Sequence, residues 1–442
     1  MPRRTISTNN FADLLGVSRA TVESWIRKGK HVAYYNSDGK RFFYLDELIS
    51  VPEVKAMLNT SWEDEKDIKP ISTFTSAELF AGAGGLALGM EKAGFTHILL
   101  NEVDKFACQT LRHNRPNWNV IEGDIHDIDF TPYRNKIHFL SGGFPCQAFS
   151  YAGKRLGFEE TRGTLFFELA RAVKEINPLV FMGENVKGLF EHDNGRTLHT
   201  IKQVITELGY TLVEPRVLRA IQYDVPQKRE RLILIAIRND IAPFVEFKWP
   251  DVCTDVRTLR DAFFSGALFP SDTPKSEGQI YPETKRKVMQ LVPEGGDWRN
   301  LPEDIAKSYM KGSYNLGGGK TGMARRLALD EPSLTLTCSP AQKQTERCHP
   351  IETRPLTVRE YARIQTFPDE WDFCGTLTAK YKQIGNAVPV NLAWAIGRSL
   401  IRLFNQIEAK SLNNTISNRY PEYTNTLNNI ASDIQVKYTP LK

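Results

Sequence analysis

The tightest constraint on this chain lies in TSAELFAGAGGLALGMEKAGF, residues 75 to 95, where an apolar run halts at Gly82, Gly84 and Gly85 and a helical pattern takes over. Glycines at a strand-to-helix turn let the backbone approach a ligand closely. Gly82-x-Gly84-x-x-Ala87 fits the loose dinucleotide fingerprint, and Glu102 closes the next strand, HILLNEVD, at the distance suited to gripping ribose hydroxyls. From Ile71 onward strands and helices alternate, which predicts an α/β fold on a mostly parallel sheet. A third strand ends near Asp124, whose carboxylate suits an adenine amino group. The turn alone does not separate a nicotinamide cofactor from S-adenosylmethionine, because both carry an adenosine ribose.

A second stretch, SGGFPCQAFS (residues 141 to 150), presents Cys146 between Pro145 and Gln147. Proline fixes its own φ and pushes Phe144 towards an extended conformation, so the chain leaves the strand Ile137 to Gly143 and turns at the thiol. That places the sulfur where open α/β sheets hold their ligands. A buried, inert thiol is the competing reading, and Cys146 alone does not decide between them. The following AFSYAGKRLGFEETRGTLFFE is rich in glycine and charge and reads as a mobile lid. Pro178 to Met182 reads as a strand ending in Gly183-Glu184-Asn185-Val186, which sets a carboxylate on the same edge. In QYDVPQKRERLILIAIR, Arg229 and Arg231 precede an apolar strand, and side-chain alternation allows one of them into the cleft.

Composition narrows the classes further. The chain has 442 residues, with 57 basic and 52 acidic side chains giving +5, a mildly basic balance compatible with nucleic acid. Its six cysteines are scattered without a CxxC pair, and Cys348-His349 lacks partners at ligand spacing, so neither a metal site nor a disulfide framework is expected. No stretch has transmembrane length and MPRRTISTNN lacks a signal-peptide core, which predicts a cytoplasmic protein.

Residues 1–60 read as a separate unit. Ser7 or Thr8 caps a helix over Phe11 to Leu15, Gly16 breaks it, and Ser18 caps a second helix carrying Val22, Trp25 and Ile26. FADLLGVSRATVESWIRKG resembles the opening of excisionase-like and MerR-like winged helix-turn-helix domains, with GKRFFYLDELI supplying a wing strand and a third helix. That resemblance implies DNA contacts by Arg19, Arg27 and Lys28. A helical hairpin that merely packs is the alternative. The polar, acidic 61–70 reads as a linker, and the Asn-, Thr- and Ser-rich tail from 410 as an extension.

Taken in order, FAGAGG, Glu102, FPCQAFS, ENV and QKRER, with RPLTVREYARIQTFPD and YKQIGNAVPVNLA further on, resemble the motifs of the DNA cytosine-5 methyltransferases across roughly residues 74 to 404. The resemblance implies a Rossmann-like methyltransferase domain (71–239, completed by 352–409), a smaller target-recognition domain (240–351), S-adenosylmethionine as cofactor and double-stranded DNA as partner. Carried over residue by residue, Cys146 is the nucleophile, Glu184 holds and protonates ring nitrogen 3, and Arg231, with Arg229 beside it, binds the carbonyl oxygen. Phe80, Ala83, Gly84, Gly85, Glu102, Val103, Asp124, Ile125, Pro145, Leu165, Asn386 and Val388 line the cofactor pocket. The target base has to be flipped out of the duplex.

The recognition region is nearly balanced in charge, so reading DNA there requires placed side chains in the major groove. Arg325, Arg326, Gln342, Gln344 and Arg347 are the candidates, and the region resembles those of bacterial modification enzymes that read short GC-rich palindromes, a GGNCC-like site being the expectation. A companion restriction endonuclease, a monomeric enzyme and an autoregulatory amino-terminal domain complete that reading. The rivals are a nicotinamide oxidoreductase, an RNA cytosine-5 methyltransferase and a regulator on a methyltransferase scaffold.

Overall fold

The computed structural model describes residues 3–144, 165–316 and 320–412. The chain divides into two compact units, each assembled from separated stretches. One comprises Met1–Asp64, Arg219–Arg229 and Asp251–Leu392, and the other Glu65–Leu218, Glu230–Pro250 and Ala393–Lys442.

The first unit opens with β1 (Thr5–Ser7), α1 (Thr8–Leu15), α2 (Arg19–Arg27), β2 (Tyr34–Tyr35), β3 (Arg41–Tyr44) and α3 (Pro52–Leu58). Ser7 accepts the Asn10 N–H at the start of α1, Gly16 ends that helix at φ 67°, and Ser18 accepts the Thr21 N–H to start α2. These are the capping roles that hydroxyls and glycine fill because helix ends leave backbone groups unpaired. The strands pair antiparallel in the order β1-β3-β2. Between β3 and α3 the chain makes a 3-10 turn, Leu45–Leu48.

This amino-terminal core of Phe11, Leu14, Val22, Phe43, Leu48 and Val54 is not closed on itself. Val252 and Val256 pack against it. Arg219 donates to the Leu14 carbonyl at 3.0 Å, and Lys228 pairs with Asp13 at 2.7 Å. The expected linker is also ordered: α4 (Trp62–Glu65) buries Trp62, whose ring lies 6.2 Å from Tyr223. Burial of an aromatic overrides a polar local composition.

The remainder of the unit holds β11 (Gln227–Lys228), α9 (Leu259–Phe263), α10 (Glu283–Gln290), α11 (Glu303–Met310), β13 (Ser333–Leu334), α12 (Val358–Ile364) and α13 (Leu377–Asn386). Residues 352–392, expected with the catalytic part, cluster here. Fully buried Arg363 donates to the carbonyls of Ala262, Ser271 and Asp272 and to Asp369, tying distant loops together.

The second unit is built on an eight-stranded sheet. Its elements are β4 (Phe74–Leu79), α5 (Gly85–Ala93), β5 (Phe95–Glu102), α6 (Lys105–Asn114), β6 (Val120–Glu122), β7 (Phe139–Gly143), α7 (Leu165–Ile176), β8 (Val180–Val186), α8 (Arg196–Glu207), β9 (Tyr210–Leu212), β10 (Arg216–Arg219), β12 (Glu230–Arg238) and α14 (Val390–Leu412). The order is β10-β12-β8-β7-β4-β5-β6, with β9 also on β12. Strands β6 to β8 run parallel, and β12 runs antiparallel to β8. The central strand β4 is buried at every position, as a strand covered on both faces must be. From β4 the chain winds first towards β6 and then to β7 and β8, so the switch point lies between β4 and β7.

Phe166, Phe167, Leu169, Val173 and Ile176 of α7 and Ile201 and Ile205 of α8 join Leu140, Phe144, Phe181 and Leu234 in one core. Leu165 to Glu168, read above as the end of a lid, are thus the first turn of α7; the expected lid's residues 148–164 lie outside the described residues.

Helices α5 and α14 meet through reciprocal glycines. A Cβ on Gly89 would stand 2.3 Å from the Ala393 Cβ, and one on Gly397 would stand 2.6 Å from the Ala93 Cβ. Gly89→Ala is therefore expected to destabilise the protein by about 1–3 kcal/mol, the usual cost of overpacking, read as a lowered urea midpoint. An unchanged midpoint would show that the helices separate freely.

Candidate active site

The carboxyl ends of the parallel strands form a rim. After β4 the chain bends through Phe80 (φ 58°), Gly82 (φ 54°) and Gly84 (φ 85°) before entering α5. Phe80 is a bulky residue in the left-handed region, a conformation that only the surrounding structure sustains. A Cβ on Gly82 would meet nothing within 4 Å, so the turn borders open space.

Glu102 at the end of β5 clasps this turn. Its Oε2 accepts the Gly82 N–H at 2.7 Å, while Oε1 accepts the N–H groups of Val103 and Asp104 at 2.9 and 2.8 Å. At the end of β6 Asp124 accepts the His126 N–H at 3.0 Å and meets the His126 ring at 2.5 Å. Those hydrogen bonds, the backbone one foremost, lower its carboxyl below the ordinary range. Ile125 is buried and Val103 is exposed. Ala83, Gly84 and Gly85 form the buried start of α5, and Leu165 opens α7 with its side chain against the core.

On the other side of the switch point stand Glu184 and Arg231. Their Oε1 and Nε lie 2.6 Å apart, with side chains 13% and 11% exposed. Arg229, two residues earlier, goes elsewhere: it is buried and donates to the carbonyls of Leu336 and Asn386. Gly143 leaves the room needed, since a Cβ there would come within 2.9 Å of Glu184 Oε2. Asn185, which no motif argument singled out as a site residue, donates to the Phe144 carbonyl at 2.8 Å and so ties the ENV strand to the residue preceding Pro145. Pro145 and Cys146 themselves lie outside the described residues.

A further carboxyl was missed because it sits inside an apolar-looking strand. Glu78 of β4 is 3% exposed, and its Oε2 is buried without a hydrogen-bond partner. Register places it beside Leu100 and Ser141, and Ser141 beside Met182. Glu78, Glu102, Glu184 and Arg231 therefore share one face of the sheet, because partners in register and residues two apart project to the same side. Desolvation, reinforced by the charges of Glu102 and Glu184, raises the Glu78 carboxyl well above its ordinary range.

The expected DNA-reading residues separate into two groups. Gln342 and Gln344 are exposed, and Arg325 is mostly covered beside Asp297 at 3.6 Å. Arg326 and Arg347 are buried. Arg326 donates to the carbonyls of Val292, Met289, His349 and Glu352, and Arg347 to those of Glu346 and Thr335, so both serve the interior. Arg19, Arg27 and Lys28 are exposed, with Arg19 next to Glu23 at 3.4 Å. Asn386 at the end of α13 is exposed and accepts from Cys338 through its side chain, while Val388 is buried.

Comparison with known proteins places these features in a family. The model of the C-5 cytosine-specific DNA methylases matches residues 74–402. The chain belongs to that family. It is 60% identical over 411 residues to the type II methyltransferase M.Eco47II of Escherichia coli, covering 93% of this chain and 98% of that one. Type II methyltransferase M.PspPI of Psychrobacter is 57% identical over 405 residues, 91% of this chain and 97% of its own length. A crystal structure described as a DNA modification methyltransferase encoded within an E. coli prophage shares the fold, with a TM-score of 0.54 at 23% identity over 75% of this chain and all of that one.

The enzyme is thus a DNA (cytosine-5-)-methyltransferase, and its methyl donor is S-adenosylmethionine. The residues present fit that donor: the acidic row would face its positive charge, Glu102 and Asp124 would offer acceptors to hydroxyl and amino groups, and a Cβ on Gly82 would meet nothing within 4 Å. A nicotinamide cofactor is set aside by the family. Among the described residues no helix is long and apolar enough to cross a membrane.

Burial of a protonated Glu78 has a signed consequence. Above the ordinary carboxylate range an unfolded Glu78 ionises and the folded one does not, so stability falls as pH rises until the folded group ionises too. Glu78→Gln removes this slope. The stability gap between variant and parent should widen in favour of the variant by about 1.4 kcal/mol per pH unit in that window, read from urea unfolding across pH; a gap that does not change with pH refutes it.

Proposed function

We propose that this chain is the modification enzyme of a type II restriction-modification system, methylating carbon 5 of a flipped cytosine within a short GC-rich duplex site such as GGNCC, and working beside a restriction endonuclease. The observation that carries the reading is the Glu184–Arg231 pair at the sheet's carboxyl edge, with Asn185 holding Phe144 beside it. The names of the relatives, all type II methyltransferases, support the same reading.

The chemistry assigned to the chain follows from cytosine's low nucleophilicity at carbon 5. Cys146 adds as the thiolate to carbon 6, and its electron pair forms the new S–C bond while the ring becomes an enamine. Glu184 donates a proton to ring nitrogen 3, and Arg231, already ion-paired with Glu184, binds the carbonyl oxygen so that both groups act on one edge of the base. S-adenosylmethionine supplies an electrophilic methyl group when bound. Loss of the carbon 5 proton and expulsion of the Cys146 sulfur restore the aromatic ring. Phe80, Ala83, Gly84, Gly85, Glu102, Val103, Asp124, Ile125, Pro145, Leu165, Asn386 and Val388 are the residues assigned to the donor. Arg229 is assigned a supporting role through the carbonyls it binds rather than contact with the base.

Bisulfite sequencing of plasmid from cells expressing the chain tests the reading. Protected cytosines in one recurring short sequence are expected, and Cys146→Ser is expected to abolish them. Protection that survives in the variant would remove Cys146 from the mechanism.

The amino-terminal elements support a second role, a winged helix-turn-helix that binds an operator and represses expression. Arg27 and Lys28, exposed at the end of α2, are the residues assigned to DNA. Deleting residues 1–65 is a poor test, because it would strip cover from Val252, Val256 and the Asp13 partner Lys228. Arg27→Ala with Lys28→Ala instead should weaken binding to its own promoter DNA by roughly tenfold or more and leave methylation intact. Equal promoter binding by variant and parent would exclude the regulatory role.

A further inference from the structure

Glu78 has no part in the chemistry above, yet it shares a sheet face with Glu102, a residue assigned to the donor. It lies on the central strand, on the face that carries Glu102 and Glu184, one strand from Glu102 through Leu100 and two strands from Glu184 through Ser141 and Met182. Its buried Oε2 has no hydrogen-bond partner. A polar oxygen left in that condition costs stability, and proteins keep such groups where binding makes use of them. The charged side chains that act on it are Glu102 from β5 and Glu184 from β8, with Arg231 of β12 paired to Glu184; β7 contributes only the Ser141 hydroxyl, which donates to the Ala77 carbonyl. The row thus holds three carboxyls against one guanidinium among the described residues, and a sulfonium cation bound at the rim would change that balance by one charge.

We propose that Glu78 is a charge-compensating carboxyl for the methyl donor: it carries a proton in the empty enzyme, releases it when the sulfonium binds, and recovers it once methyl transfer leaves a neutral thioether. On release the O–H bond breaks, the electron pair stays on the Glu78 oxygen and the proton passes to buffer; after transfer the reverse step returns one proton. The inference rests on the assignment of the rim as the donor pocket. Its consequence is product discrimination, because the enzyme holds S-adenosylmethionine with an ionised Glu78 and S-adenosylhomocysteine with a neutral one.

Isothermal titration calorimetry of the full chain in two buffers of different ionisation enthalpy counts the protons. Above the ordinary carboxylate range, while the empty enzyme holds the Glu78 proton, the parent is expected to release about one proton on binding S-adenosylmethionine and close to none on binding S-adenosylhomocysteine. The preference for the donor over the product should rise by up to about tenfold per pH unit while Glu78 is protonated in the empty enzyme. Glu78→Gln should lose both the release and the pH dependence, whereas Cys146→Ser should keep them, which separates the effect from thiol ionisation. No release by the parent, or the same release by Glu78→Gln, overturns the proposal. Undiminished donor affinity in Glu102→Ala would instead strike the pocket assignment on which it rests.

Discussion

Carboxylates gathered at one edge of a sheet repel one another, and Arg231 is the group that makes the arrangement at this rim tenable. Its position follows from strand direction. Parallel strands deliver only their carboxyl ends to the rim, so a residue early in a strand reaches it only if that strand runs the other way. β12 does so, pairing antiparallel with β8, and this sets Arg231 near its start opposite Val186 and within reach of Glu184. The other parts fit around that contact. Gly143 makes room for Glu184, and Asn185 on the next position of β8 holds the carbonyl of Phe144.

Much of this was legible in the residues. The glycine turn, the run of buried strands and the helix caps at Ser7, Gly16 and Ser18 are local signals, dictated by φ preference, alternation and unpaired helix-end groups, and these elements form where those signals stand. What escaped depends on partners far along the chain. Nothing near Trp62 announces that it is buried with Tyr223. Arg326 and Arg347 look like DNA contacts in a basic, glycine-rich stretch, yet their guanidinium groups collect carbonyls from residues up to dozens of positions away. Glu78 was read as part of a strand, and its meaning emerges only when register sets it on the same face as Glu102 and Glu184.

The amino-terminal elements divide their labour by helix. α1 faces inward through Asp13 and Leu14, with Lys228 and Arg219 as partners, while α2 ends in exposed Arg27 and Lys28. A helix pair fixed along one member keeps the other rigidly presented. That is why point changes on α2 report on its surface where truncation reports mainly on lost packing.

The glycine contact between α5 and α14 also sets a schedule for folding on the ribosome. Gly89 belongs to the first helix of the catalytic sheet, and the surface it fits, around Ala393 and Gly397, is synthesised some three hundred residues later. Until α14 emerges, the glycine face of α5 stands uncovered in the growing chain. The sheet unit is therefore begun early and completed late, so a chain interrupted before α14 carries α5 without the helix that packs on it.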